Sequence, residues 1–256
     1  MKGNVLSHST LNHTYKMKEI KYKIYSEVPE LICGSSTVEC GNVDERFGDA
    51  GEAVKSKLKF LKSLGIEDKN LIKATLPHED GICNVIDNKN KKYAVDALIT
   101  DRPGIFLSFN TADCLPIFYF DQIKKVAGIA HCGWKSTTLN LSAKVVFEFI
   151  NKYGSKPKDV LVALGPAIRK ESYIHKDPMQ KNMPEWKNFL EDLPNGETAI
   201  DLVGYNVMQL IGAGIHENNI EICPINTVTS KDFFSHYRSQ KNGETEGRFC
   251  NVIGLK

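Results

Sequence analysis

No run of about 18 apolar residues occurs in this chain, so no membrane-spanning helix and no membrane partner are expected. The opening residues are polar and lack the apolar core of a secretory signal. Cysteine pairs of the C-x-x-C type are missing, which argues against a zinc ribbon or a thioredoxin motif. Seven cysteines remain, an odd number at wide spacing. That argues against a secreted disulfide scaffold and for a reduced, cytoplasmic setting. Charge of one sign is missing as well: the net charge is +2, with acids and bases mixed along the chain. The basic stripe of a nucleic-acid binder is therefore absent, and no nucleic-acid partner is expected. The short lysine runs at 89–92 and 124–125 read as solvated loops. Internal repeats and linker-like stretches are not seen.

What is present suits a soluble globular chain. The 256 residues are enough for one large domain or two small ones, and the apolar share of 41% is ordinary for such a protein. Residues 1–18 hold few large apolar side chains and no period, so they read as a disordered leader or as sequence upstream of a start near Met17. Short apolar runs predict strands at 20–25, 31–36, 71–76, 82–86, 94–99, 105–109, 115–120, 126–130, 160–164 and 220–225. The strand at 82–86 reads as a kinked continuation of 71–76. Helical spacing marks 53–64 and 202–212. A further helix, capped by Thr137 or Thr138, carries Leu141, Val145, Val146, Phe149 and Ile150 and ends at Gly154 and Pro157. Residues 176–194 read as polar and loosely helical, anchored by Trp186 and Phe189. Residues 233–238 and 248–254 read as a closing pair. Strands outnumber helices and are mixed with them. The fold class is therefore α+β, one domain over 19–256 with mixed, layered β-sheets flanked by helices.

The central runs are the most informative. The segments 115–120 and 126–130, short and rich in β-branched or aromatic residues, read as a hairpin of two antiparallel strands. With the turn centred between Gln122 and Ile123, Cys114 lies opposite His131 on one face. Their Cβ atoms would then be about 4.5–5.5 Å apart. A thiolate and an imidazole at that separation can hold one metal ion or act on each other. A catalytic zinc site commonly has three protein ligands and an open position. His78, directly after the strand at 71–76 and among Pro77, Glu79, Asp80 and Gly81, is the best third ligand. Water in the open position would have its pKa lowered toward ~7. Each residue also has a plainer reading: Cys114 as a buried thiol, His131 as a satisfied strand-end histidine, His78 as an exposed loop residue.

Other groups surround this set. Asp113 either orients His131 or holds a proton for the reaction, or else bonds local backbone N–H groups. The stretch Cys132-Gly133-Trp134-Lys135-Ser136 joins a strand to a helix start, where an anion can bind. Lys135 adds a point charge there, and Trp134 either stacks on a flat ring or packs in the core. Arg238 and Arg248 are later candidates for an anion. His216 reads as surface, and no motif assigns His175 or His236.

Two stretches, Thr111-Ala112-Asp113-Cys114-Leu115-Pro116 and Gly128-Ile129-Ala130-His131-Cys132-Gly133-Trp134, resemble the signature of the YfiH-like, laccase-domain family. That family is also described as multicopper polyphenol oxidase-like. Further similarity lies in Asp96-Ala97-Leu98-Ile99-Thr100 and in Leu164-Gly165-Pro166-Ala167-Ile168 with Tyr173. It continues in Asp201 with Asn206 and Gln209-Leu210, and in Phe233-Phe234-Ser235 with Arg238 and Gly247-Arg248. The resemblance implies layered sheets between helices, distantly like toxin deamidases of the cytotoxic-necrotizing-factor type. It implies a zinc ion, or copper, held by His78, Cys114 and His131. It also implies phosphorolysis of purine nucleosides (adenosine, inosine, guanosine, methylthioadenosine) and hydrolytic deamination of adenosine.

Departures from the family pattern concern substrate contacts. Leu76-Pro77-His78-Glu79 stands where the family has Gln-Val-His-Gly, and Gly133-Trp134-Lys135-Ser136 where it has Gly-Trp-Arg-Gly. Lysine does not reproduce a bidentate arginine contact. Ser36-Thr37-Val38-Glu39-Cys40 replaces a Ser-Thr-Arg-Gly-Gly segment, and Asn226-Thr227 replaces Cys-Thr. Rival readings are a metal-free Cys-His hydrolase or deamidase, with Cys114 as nucleophile and His131 as base, and a non-catalytic binding protein. A copper phenol oxidase is disfavoured, because a multicopper cluster needs many more histidine ligands.

Overall fold

The structure, a computed structural model, describes residues 19–256. The expected leader at 1–18 lies outside the described residues. The strands begin with β1 (Glu19–Ile20), β2 (Leu31–Ser36), β3 (Leu71–Ala74), β4 (Ile82–Asn84) and β5 (Lys92–Tyr93). Next come β6 (Ala97–Thr100), β7 (Phe106–Thr111), β8 (Leu115–Asp121), β9 (Val126–Cys132) and β10 (Val160–Leu164). The last are β11 (Ile174–His175), β12 (Leu190–Asp192), β13 (Thr198–Ile200), β14 (Ile220–Ile222) and β15 (Phe249–Leu255). The helices are α1 (Ala50–Ser63), α2 (Trp134–Thr138), α3 (Leu141–Tyr153), α4 (Leu202–Gly212) and α5 (His236–Asn242).

One sheet has the order β1-β2-β15-β7-β3-β5, a second β14-β10-β8-β9-β6-β4, and a small third β11-β13-β12. The alternation of side chains along β8 shows how the layers stack. Ile117 and Tyr119 join a core with Val145, Val146 and Phe149 of α3 and Leu210 of α4. Phe118 and Phe120 point the other way, into a core shared with Leu107 and Phe109 of the first sheet. Across the outer face of the first sheet, Phe106 and Val252 meet Phe60 and Leu61 of α1. The layers therefore run α1, first sheet, second sheet, then α3 with α4. Because β8 and β9 are buried on both faces, they read as unbroken apolar runs. Close packing shows at Gly128, where an added Cβ would meet Phe149 Cε2 at 2.9 Å.

Helix ends follow local chemistry. Asp49 caps α1 by accepting from Glu52 N–H, so the helix starts earlier than residue 53. Asp201 caps α4 in the same way through Gly204 N–H. Gly154 ends α3 in the left-handed conformation.

Several expectations are corrected. Residues 20–25 are not a strand. After β1 the chain turns through a 3-10 helix at Lys23–Tyr25, which buries Tyr25 and lets its hydroxyl donate to Phe118 O at 2.9 Å. The strand at 82–86 does not continue 71–76, because β3 and β4 lie in different sheets. Thr137 and Thr138 do not cap α3. They lie within α2, and α3 follows Asn140, which is left-handed at φ 63°. Residues 233–238 are not a strand: Ser235 accepts from Arg238 N–H and starts α5. β15 instead pairs with β2 and β7.

Candidate metal centre

Three ligand atoms, one each from His78, Cys114 and His131, lie within 4.8 Å of one another. The hairpin delivers two of them in a register that differs from the expected one. Leu115 pairs with Cys132 and Pro116 with His131, so Cys114 is not directly opposite His131. The turn is centred one position later because Asp121 stays in the strand. Its Oδ1 accepts from the N–H groups of Ile123 and Lys124, both at 2.8 Å. A two-residue offset leaves the face unchanged. Cys114 is therefore a diagonal neighbour of His131, still within side-chain reach.

His78 arrives on a constrained loop. Leu76 and His78 both have positive φ, 61° and 65°, unusual for such residues. Asp96, fully buried, holds that loop in place. Its Oδ1 accepts from His78 N–H at 3.2 Å and its Oδ2 from Glu79 N–H at 2.8 Å. The same carboxylate takes the Nδ1–H of His131 at 2.8 Å. The Nδ1–H of His78 donates to Leu76 O at 2.9 Å. With Nδ1 engaged in both rings, Nε2 is left as the free ligand nitrogen of each. Burial lowers the pKa of His131 despite Asp96, which keeps the ring neutral and its Nε2 lone pair available. Burial, helped by the charges of Asp113 and Asp96, pushes the Cys114 thiol up to about 12, while Arg248 opposes the rise.

The residues fit a small divalent cation. Two imidazoles and a thiolate are a familiar donor set for zinc. A cation would supply the charge that the buried sulfur needs in order to lose its proton. Gly133 leaves the space beneath the set open: a Cβ there would sit 3.2 Å from Cys114 Sγ, 3.7 Å from His131 Cε1 and 3.9 Å from His78 Cδ2.

The remaining candidates separate. Trp134 and Lys135 line a groove of about 390 Å3 with Pro77, His78 and Glu79, and of the three ligands His78 alone lines it. The Lys135 ammonium lies 5.7 Å from the Trp134 ring centre. Asp113 does not orient His131. With φ at 84°, its carboxylate accepts from Thr227 Oγ1 (2.5 Å), Ser235 Oγ (3.1 Å) and Tyr237 N–H (2.7 Å). It ties the turn before Cys114 to the late loops. Arg238 does not present a free fork to an anion. Its Nε donates to Glu244, its Nη1 to the carbonyls of Thr227, Val228 and Ser230, and its Nη2 to Phe233 O. Asp96 is the residue that the sequence reading did not place in the site. Its signals were a charge within the apolar run 94–99 and its place in a stretch similar to the family, and only the β6–β9 pairing, Ala97 with Ala130, puts it beside His131.

Comparison with known proteins gives the same picture of kinship. The sequence profile of a family described as "Multi-copper polyphenol oxidoreductase laccase" matches residues 33–256. Purine nucleoside phosphorylase YlmD of Bacillus subtilis is 31% identical over 169 residues, 64% of this chain and 59% of that protein. A purine nucleoside phosphorylase of Deinococcus radiodurans is 31% identical over 220 residues, 84% of this chain and 81% of that one. The hypothetical protein YfiH of Bacillus licheniformis superimposes with a TM-score of 0.79 at 29% identity, over 88% of this chain and 93% of that chain. YlmD of Geobacillus stearothermophilus shares the fold at a TM-score of 0.82 and 24% identity, over 92% of this chain and 94% of that one. With the profile spanning nearly all the described residues, this chain belongs to the multi-copper polyphenol oxidoreductase laccase family.

Proposed function

We propose that this chain is a metal-dependent purine nucleoside phosphorylase that also deaminates adenosine. The observation that carries the reading is the convergence of two free imidazole nitrogens and a thiol, within 4.8 Å, with His78 also lining a groove. Relatives named as purine nucleoside phosphorylases support the substrate class. Bound zinc, or copper, would supply Lewis-acid charge beside the substrate.

The chain's own groups do the rest. Asp96 fixes the His131 ring and the backbone of the His78 loop, and Leu76 O holds the His78 ring, so the ligand set needs little reorganisation. Trp134 offers a ring face on the groove for a purine, and Lys135 a positive charge at its edge. In phosphorolysis a phosphate oxygen forms a bond to ribose C1′. The C1′–N bond breaks, and its electron pair leaves with the base, which takes up a proton. In deamination water adds at C6 of adenine and ammonia departs.

A thiolate nucleophile without metal needs a depressed thiol pKa. Burial drives Cys114 the other way, up to about 12. The test is direct. Purified protein is incubated with adenosine, inosine, guanosine or methylthioadenosine and phosphate, and the released bases, inosine and ammonia are separated. Metal is quantified in protein purified without added metal. Base release that depends on phosphate, with about one zinc per chain, is expected. No base and no ammonia from any of these nucleosides would favour a non-catalytic binding protein. Turnover by metal-free protein would favour the Cys-His hydrolase.

A further inference from the structure

Two arginines stand near the late loops, and they use their N–H groups differently. Arg238 has all three nitrogens bonded to protein oxygens. Arg248 does not. Its Nη1 donates to Gly247 O at 2.8 Å and its Nη2 to Glu246 Oε1 at 2.9 Å. A guanidinium carries five N–H groups. Two are engaged here, and among the described residues Nε has no protein acceptor. The side chain is only 15% exposed, yet its spare donors are not sealed from solvent.

The guanidinium is also held in one orientation. It lies over the Phe47 ring at 4.0 Å from the centroid. The Glu246 oxygen that fixes it is itself bonded by His236 Nδ1 at 2.6 Å. The backbone sets its position. Phe249 pairs with Thr111, Arg248 N–H donates to Asn42 Oδ1 at 2.9 Å, and Val43 N–H donates to Arg248 O at 3.1 Å. Arg248 therefore stands at the start of β15, level with the turn that carries Asp113 and Cys114. A nearly buried, oriented fork with unused donors beside a candidate metal group suits a planar or tetrahedral oxyanion.

A second feature points the same way. Phe47 also carries the Arg46 guanidinium at 5.6 Å. Arg46 lines a hollow of about 250 Å3 together with Lys73, Lys92, Asp44 and Glu45, and its guanidinium is paired with Asp44. Lys73 and Lys92 are direct partners across β3 and β5. Like charges placed opposite each other disfavour the folded sheet. Neither ammonium lies within ion-pair distance of a carboxylate among the described residues, although the charge of Lys73 acts on the Asp44 carboxylate. Three cations against the carboxylates of Asp44 and Glu45 leave the hollow only slightly positive, a weak pull on an anion at this edge of the site.

We propose that Arg248 binds the phosphate co-substrate, holding it beside the His78, Cys114 and His131 group. This rests on the phosphorylase reading above and assigns its anion contact. The test is calorimetric titration of the metal-loaded full chain with inorganic phosphate, for the wild type, Arg248→Gln and Arg248→Lys. Arg248→Gln should weaken binding about tenfold or more, and Arg248→Lys by less, because it keeps the charge but loses the fork. In turnover, the KM for phosphate should rise far more than the KM for the nucleoside, with metal content unchanged. A purely structural role for Arg248 would not split the two constants in this way. Wild-type phosphate affinity in a folded Arg248→Gln protein overturns the proposal, as does a wild type that binds no phosphate. Should Arg248→Gln fail to fold, Arg248→Lys decides, and unchanged affinity there overturns it. Phosphate binding that needs Arg248, without cleavage of any nucleoside, would leave the anion site standing and defeat the phosphorylase reading.

Discussion

At the residue scale, one buried carboxylate organises two of the three ligands. Asp96 accepts from His131 Nδ1 and from the N–H groups of His78 and Glu79, so it sets a ring and a loop together. Asp96→Asn keeps the size but cannot accept with both side-chain atoms. We expect metal affinity to fall about 10- to 100-fold, read by competition with a chromophoric chelator. Unchanged affinity would show that the loop strain at Leu76 and His78 is held by other contacts. Asp44 gives a second, independent prediction. Burial alone would raise its pKa, but bonds from Arg46 and Asn110 hold the carboxyl well below the usual range. A depressed folded pKa contributes stability above the unfolded value of about 3.9, and that contribution fades as pH falls toward the folded value. The gap in urea stability between wild type and Asp44→Asn should therefore be present at pH 7 and shrink below about pH 4. A gap independent of pH would mean that the carboxylate charge contributes nothing.

At the element scale, the closing strand β15 lies between β2 and β7 and has no room for a side chain at Gly254. A Cβ there would stand 2.4 Å from Ile105 O and 2.9 Å from Phe106 Cα, backbone atoms fixed by the neighbouring strand. Gly254→Ala should cost about 1–3 kcal/mol in urea denaturation, and a loss within error would show that β7 can shift. The same strand shows what sequence period conveys. Residues 31–36, 160–164 and 202–212 form β2, β10 and α4 with the expected bounds, because burial on a face or stripe leaves a pattern in the residues themselves. Pairing partners leave no such pattern. β15 joins β2 from more than 200 positions away, and nothing in 248–254 names it. Residues 233–238 mislead for a local reason: Phe233 is buried and apolar, but Ser235 is a helix cap. In the hairpin, the face of His131 and Cys114 was legible and the register was not, because the Asp121 side chain extends the strand by one residue.

At the scale of the whole molecule, the site lies where the chain passes between the two large sheets. His78 is on the connection from β3 in the first sheet to β4 in the second. Asp96 is on the connection from β5 to β6, and Cys114 on that from β7 to β8, with the same change of sheet. His131 stands on β9, in the second sheet. These residue types were legible as ligands, but the shared crossing was not, since it depends on which strands pair. A cation held by this set would link two crossings to the second sheet, so binding should stabilise the fold and not only the pocket. Binding to the folded state alone adds RT ln(1 + [L]/Kd), about 2.7 kcal/mol at a hundredfold excess over Kd. For a chain of this size that is a rise of several degrees in Tm. Zinc added to chelator-treated protein should produce this rise in the wild type and not in Cys114→Ala or His131→Ala. Because the unfolded chain still carries its other cysteines and histidines, the gain should fall short of the full figure at high zinc. Two outcomes would defeat the coupling: no shift in wild type that dialysis shows to be loaded, or an equal shift in the variants, which would place the cation elsewhere.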